Sequence, residues 1–207
     1  VWTNRPARPQ GKAMVHGEEY AGESVQSKLS RVLEAVQRLE GDAIFVTMLD
    51  DIAWTLNLRG SDVEFTPVVI SYLFISESET VLFVDSAKVT PEVKRHLADA
   101  GVKIKEYDDA LRYLSNLRQS VNVLIDPNTV SDTFAQAIPV KSFAKSPIPL
   151  LKGVKNDTQI AGYRKAMERD GAALVRTFMW VEKMAPTGTI TETDVADKAI
   201  EERSKMP

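Results

Sequence analysis

The run Asn57-Leu58-Arg59-Gly60-Ser61-Asp62 holds the residue types best suited to binding chemistry. An arginine on a glycine turn can clamp a carboxylate or a carbonyl through its bidentate guanidinium. It can equally be a half-buried structural residue that pairs with Asp62 or Glu64 to hold the loop. Asn57 and Asp62 divide in the same way, between turn formers and groups that face a ligand. Arg59, Asn57 and Asp62 are therefore the candidate substrate-binding residues. Asp50 and Asp51 are adjacent on an expected helix, so their carboxylates should diverge and not form an acid/base pair; capping or charging the first turn is the expectation. Trp54 could be an aromatic lid, but its place on an amphipathic helix favours the core. His16 and His96 are the two histidines. Neither has a partner at a metal-ligand spacing such as HExxH, and both are expected to face solvent. There is no cysteine, no Ser-His-Asp set, no GxGxxG and no P-loop. No catalytic and no metal-binding residue is assigned.

These residues need a framework. Ile52, Ala53 and Leu56 recur at helical spacing, so a short helix should run out near Asn57. Gly60 is expected to supply a positive φ in the turn that follows. Pro67 then leads into Val68–Ile75, an apolar run that predicts a strand covered on both faces. Around this corner, residues 1–23 have little periodicity and are expected to form a surface linker anchored by Trp2. Leu29, Val32, Leu33, Val36 and Leu39 share a helical face, with Gly41 as the stop. Strands are expected over 43–48, 80–84, 102–107, 121–125 and 140–143, with a tight turn at 77–79. Helices are expected from Thr90-Pro91 to Gly101, around Leu111, Leu114 and Leu117, and briefly within 129–137. About six strands and four helices predict an α/β sandwich over 24–147. Its sheet must be mixed, because the turn near Ser78 forces one antiparallel pair.

Pro147 and Pro149 mark a second linker, 148–155, with a short helical piece. Asn156 and Gln159 are spaced as a capping box for a long helix. Ile160, Tyr163, Met167, Leu174, Phe178 and Val181 form its apolar stripe, and Pro186 and Gly188 break it. A last helix opens at Thr191 with Asp194 and turns Val195, Ala199 and Met206 inward. Full burial of six such side chains is worth roughly 9–18 kcal/mol. The stripe is therefore expected to find cover, either on a second copy or by folding back onto 24–143.

The 207 residues, 43% hydrophobic and 27% charged, have the composition of a soluble globular chain. A net charge of -3 gives no electrostatic case for nucleic acid or an anionic membrane. No apolar run is long enough for a membrane span, and no signal peptide opens the chain. Val1 falls in a linker pattern and Pro207 in a helical one, so a piece of a longer protein is expected.

LDDIAWTLNLRGSDVEFTPV resembles the second domain of the three-domain Xaa-Pro aminopeptidases (aminopeptidase P). VWTNRPARP resembles that family's linker between its first two domains. KNDTQIAGYRKAMERDGAALVRTFMWVEK and TITETDVADKA resemble the first two helices of its catalytic domain. The resemblance covers almost the whole chain but less than half of such an enzyme. It implies a creatinase-N-terminal-like fold over 24–147 and the beginning of a truncated pita-bread domain over 156–207. It implies a cytoplasmic, manganese-dependent hydrolase that removes the first residue from peptides with proline second. The parent would hold two divalent metal ions on two aspartates, a histidine and two glutamates, none of which falls on this chain. The chain would then be an inactive scaffold and part of the active-site mouth, in a homo-oligomer such as a dimer, with proline-containing peptides as the parent's partners. The residues by themselves also permit a stand-alone α/β binding module, and the metal-ligand set downstream is what separates the two readings.

Overall fold

A computed structural model describes residues 3–206. Trp2 and Pro207 lie outside the described residues. The chain divides into two compact units, one ending at Val154 and the other beginning at Lys155.

The first unit is built on a six-stranded mixed sheet. Its strands are β2 (Ala43–Val46), β4 (Ser71–Ser76), β5 (Thr80–Val84), β6 (Val102–Lys105), β7 (Val123–Ile125) and β8 (Lys141–Phe143), in the order β6-β5-β4-β2-β7-β8. β4 runs antiparallel to both its neighbours, with Phe45 opposite Phe74 and Leu73 opposite Leu82; the other three pairings are parallel. The β4–β5 turn closes on Ser76, whose hydroxyl accepts from the Glu79 amide and donates to its carbonyl.

Alternation explains the near-continuous apolar runs. Ile44, Val46, Leu73, Ile75, Leu82, Val84 and Leu124 point to one face. There they meet the helices α2 (Val25–Gln37), α3 (Leu49–Thr55) and α4 (Pro91–Asp99). Phe45, Phe74, Val81, Phe83, Val123 and Ile125 point to the other, where α5 (Ala110–Ser115) and α6 (Asp132–Ala137) cover them. Local signals start the helices as expected. Ser24 caps α2 by accepting from the Ser27 amide, and Thr90 caps α4 from the Val93 amide with Pro91 at the first position.

Several expectations need correction. The N-terminal stretch is not a loose surface linker. Met14–Val15 forms β1, which pairs antiparallel with β3 (Leu58–Arg59), and α1 (Glu18–Ala21) follows. Ala13 is buried, and its amide donates to the Lys88 carbonyl at 2.9 Å. The central strand begins at Ser71, later than expected, because the backbone before it is used by the loop: Val68 accepts from the Asp62 amide. Gly41 is not the left-handed residue after α2. Glu40 is, at φ 60°, while Gly41 is needed because a Cβ there would come within 2.9 Å of Val36. Leu39 and Leu111, expected inward, are exposed. The short helical piece expected within 148–155 is α7 (Ile148–Gly153), and Ile148 is fully buried.

The second unit is a helical hairpin of α8 (Asp157–Met184) and α9 (Glu192–Ser204). Each opens with a capping box, Asn156 with Gln159 and Thr191 with Asp194. The hairpin buries Ala173, Thr177 and Glu202, but it does not bury the apolar stripe. Tyr163, Met167 and Phe178 are 57%, 65% and 64% exposed.

Candidate functional site

The corner between α3 and β4 is assembled from several separate segments. α3 is short, which makes it marginal alone; Ile52 and Trp54 anchor it by burial. It ends in a left-handed residue, Asn57 at φ 50°, not at Gly60. Asparagine tolerates this region better than most side chains. Gly60 serves close approach instead: a Cβ there would lie 2.5 Å from Val69 Cγ2 and 3.1 Å from the Val68 carbonyl oxygen.

The three candidate residues separate. Arg59 is half-buried, and its Nη1 donates to the carbonyls of Ala53 at 3.0 Å and Leu58 at 2.7 Å. Of the two acids expected to pair with it, Asp62 belongs to Lys88. That pair is 2.6 Å apart with both side chains at 1% exposure or less. Asp62 Oδ2 also accepts from the Ile70 amide at 2.7 Å. Asp62 is thus buried and holds the loop through Lys88 and Ile70. Asn57 is also withdrawn from solvent. Its Oδ1 accepts from Lys28 Nζ at 2.6 Å, its Nδ2 donates to the Glu23 carbonyl, and its own carbonyl accepts from the His16 amide at 2.8 Å. Of the three, Arg59 alone retains partial exposure.

Both histidines depart from the solvated expectation. His96 Nε2 bonds the Leu56 carbonyl at 2.8 Å from α4. His16 stacks on Tyr20 with centroids 5.6 Å apart. Burial, then the charges of Arg59 and Lys28, hold its pKa below the usual histidine value.

The reasoning from sequence missed Lys28 and Lys88. Lys28 had a legible signal: it falls on the inward face of α2 with Val25, Val32 and Val36. A lysine in an apolar stripe must find a buried acceptor. Lys88 lies in a single 3-10 turn, Ser86–Lys88, and nothing in its spacing marks it.

A second cluster sits at the other end of α3. Asp50 and Asp51, expected to diverge as caps, both bond Lys152 of α7, Asp51 at 2.7 Å. They do not cap the helix through a side chain. They converge because a long cationic side chain reaches across to both. Burial pushes the Asp51 carboxyl up, against the pull of Lys152. For Asp50, burial is outweighed by the hydrogen bond and charge of Lys152, and the net shift is downward.

Among the described residues, no three His, Cys, Asp or Glu side chains are grouped so as to hold a metal ion. A dinuclear metal centre does not fit the residues described here. No described helix is long and apolar enough to cross a membrane.

Residues 4–159 match the model of the Creatinase/Prolidase N-terminal domain. Aminopeptidase P2 of Arabidopsis thaliana is 34% identical over 238 aligned positions, covering 99% of this chain and 34% of that protein. A probable Xaa-Pro aminopeptidase P of Aspergillus flavus is 38% identical over 99% of this chain and 33% of its own length. The crystal structure of X-prolyl aminopeptidase from Caenorhabditis elegans, described as a cytosolic enzyme with a di-nuclear active site, superposes with a TM-score of 0.91. It is 30% identical, over 99% of this chain and 35% of that one. The chain thus spans about a third of the length of these relatives. With its mixed sheet, its covered faces and a match over most of its length, the chain belongs to the creatinase/prolidase N-terminal domain family.

Proposed function

We propose that this chain is a section of a metal-dependent Xaa-Pro aminopeptidase, which removes the first residue from peptides with proline in second position. The observation that carries the reading is similarity along 99% of the chain, in sequence and fold, to proteins of that name. In this reading the first unit is a non-catalytic scaffold, and α8 and α9 are the first helices of the catalytic domain. Two divalent ions, manganese by preference, would be held by other parts of the parent, in keeping with the di-nuclear site of the C. elegans enzyme. The parent would work in the cytoplasm and take proline-containing peptides as partners. The exposed stripe of α8 supports self-association, as a homo-oligomer with dimer as its simplest form.

Arg59 is the residue we assign to the mouth, since Asn57 and Asp62 are committed to internal partners. The test is Arg59→Ala in the longer protein. Loss of a charge-assisted contact to a peptide carbonyl or carboxylate should lower kcat/KM about tenfold. The hydrogen bonds to Ala53 and Leu58 are worth about 1–2 kcal/mol in stability, so melting should shift by only a few degrees. Unchanged kcat/KM, or a fall that merely follows a collapse in melting, would remove Arg59 from the mouth.

A further inference from the structure

The carbonyls at the C-terminal end of α3 are taken up by basic side chains from three other places in the chain. Arg59 Nη1 binds Ala53, Lys28 Nζ binds Trp54 at 3.0 Å, and His96 Nε2 binds Leu56. Helix ends leave these oxygens without intrahelical donors and carry partial negative charge. Lys28 differs from the other two in burial and in partners. It is 1% exposed, and among the described residues no carboxylate lies within ion-pair distance of it. Its ammonium meets the Trp54 carbonyl, Asn57 Oδ1 and the face of the Trp54 ring, 4.7 Å from the centroid. Its two oxygen acceptors flank the left-handed turn at Asn57, two residues before Arg59.

We propose that Lys28 is the positioning residue of Arg59: by drawing the Trp54 carbonyl and the Asn57 side chain onto one ammonium, it fixes the turn that sets the guanidinium's direction. The sequence alternatives are poor. The left-handed conformation is disfavoured for a residue with a Cβ, so an outside hold helps to keep Asn57 in it. The Asn57 amide reaches the Trp54 carbonyl only at 3.4 Å, which does not supply it. The Glu23 carbonyl and the His16 amide complete the cage around Asn57, but among the described residues Lys28 is the charged donor to its side chain. That Arg59 contacts substrate is the reading this inference deepens; that Lys28 orients Arg59 stands apart from it and is tested apart.

The charges facing Lys28 are Glu23 and Glu18, which favour its ammonium, and Arg59 and Arg31, which oppose it; His16 adds its ring from just after β1. Burial dominates and lowers its pKa to about 8. Loss of that proton is therefore observable in the folded chain. In carbon-13 NMR of the 207-residue chain, the Arg59 Cζ resonance, assigned by its loss in Arg59→Ala, should move between pH about 7 and 9.5 with a midpoint near 8. Lys28→Met should displace the resonance and abolish the titration, and Lys28→Arg should restore its position in part. An Arg59 signal that stays still across that range in the wild-type chain overturns the proposal, whether or not Lys28→Met folds. In the longer protein, Lys28→Met should lower kcat/KM several-fold, mainly through KM, and should add nothing in an Arg59→Ala background. A loss that persists in that background would make Lys28 merely structural. If Arg59→Ala itself leaves kcat/KM unchanged while the NMR titration is seen, the mouth reading fails and the positioning stands.

Discussion

Replacing Lys88 by Met should be among the most damaging single changes in the first unit. The side chains of Lys88 and Asp62 are 1% and 0% exposed, and their ion pair is 2.6 Å long. Methionine keeps most of the buried stem and removes only the ammonium. Asp62 Oδ2 then keeps the Ile70 amide, while Oδ1 has no partner among the described residues. A buried carboxylate stripped of its counter-charge costs about 3–5 kcal/mol. For a domain of this size each kcal/mol moves the melting temperature by about 2–4 °C, so a fall of roughly 6–20 °C is expected. The assay is thermal and urea unfolding followed at Trp54, with Trp2 and Trp180 replaced by Phe so that only the first unit is observed. Asp62→Asn together with Lys88→Met should recover at least half of the loss, because neither charge is then buried alone. A loss below about 1 kcal/mol for Lys88→Met, or a double variant as unstable as the single one, would refute the reasoning.

Gly60→Ala should destabilise the first unit by about 1–3 kcal/mol, since the new Cβ would meet Val69 Cγ2 at 2.5 Å; urea midpoints will show it. The raised pKa of Asp51 means the folded chain holds that proton longer than the unfolded chain does. Its contribution therefore weakens stability as pH climbs from 3.8 through the folded value, whereas the lowered Asp50 gives stability that is lost as pH falls. Asp51→Asn should thus be within about 1 kcal/mol of wild type or more stable at neutral pH, with a flatter decline on the way up from acid, as read from unfolding at several pH values. Light scattering should show mass rising with concentration for the wild-type chain, and Phe178→Glu, which places a charge in the exposed stripe, should hold it at the monomer mass.

Periodicity carried most of the fold. The strands at Ala43, Thr80 and Val102 and the helices opened by Ser24, Pro91 and Asn156 follow patterns that a single sequence displays. The first contrary case is β1, only two residues long, whose ladder rests on Met14 facing Arg59 across the chain. A two-residue strand has no period to detect. The positive φ expected at Gly60 fell on Asn57 for a related reason. Glycine permits that conformation, but the steric demand at residue 60 comes from Val69, a contact invisible before folding. Arg59 was legible as a candidate from its type and turn. Asn57 and Asp62 were not separable from it, because their buried partners, Lys28 and Lys88, lie 29 and 26 residues away along the chain.

The distribution of charge along α3 explains how so short a helix is held in place. Seven residues are too few to be stable on propensity alone. Asp50 and Asp51 stand in its first turn, where the helix dipole favours acids, and Lys152 reaches them from α7. At the other end Lys28, Arg59 and His96 meet the carbonyls, where the dipole favours cations. The helix is thus held at both termini by residues that it does not itself contain. Its apolar face adds Ile52 and Trp54 to the core, but the ends determine its direction. Arg59 leaves this helix after a single buried turn; its guanidinium bonds Ala53 and Leu58, and in the proposed reading Lys28 of α2 holds the turn behind it. A change on the inward face of α2 should therefore reach the corner sooner than a change on the exposed surface of the loop.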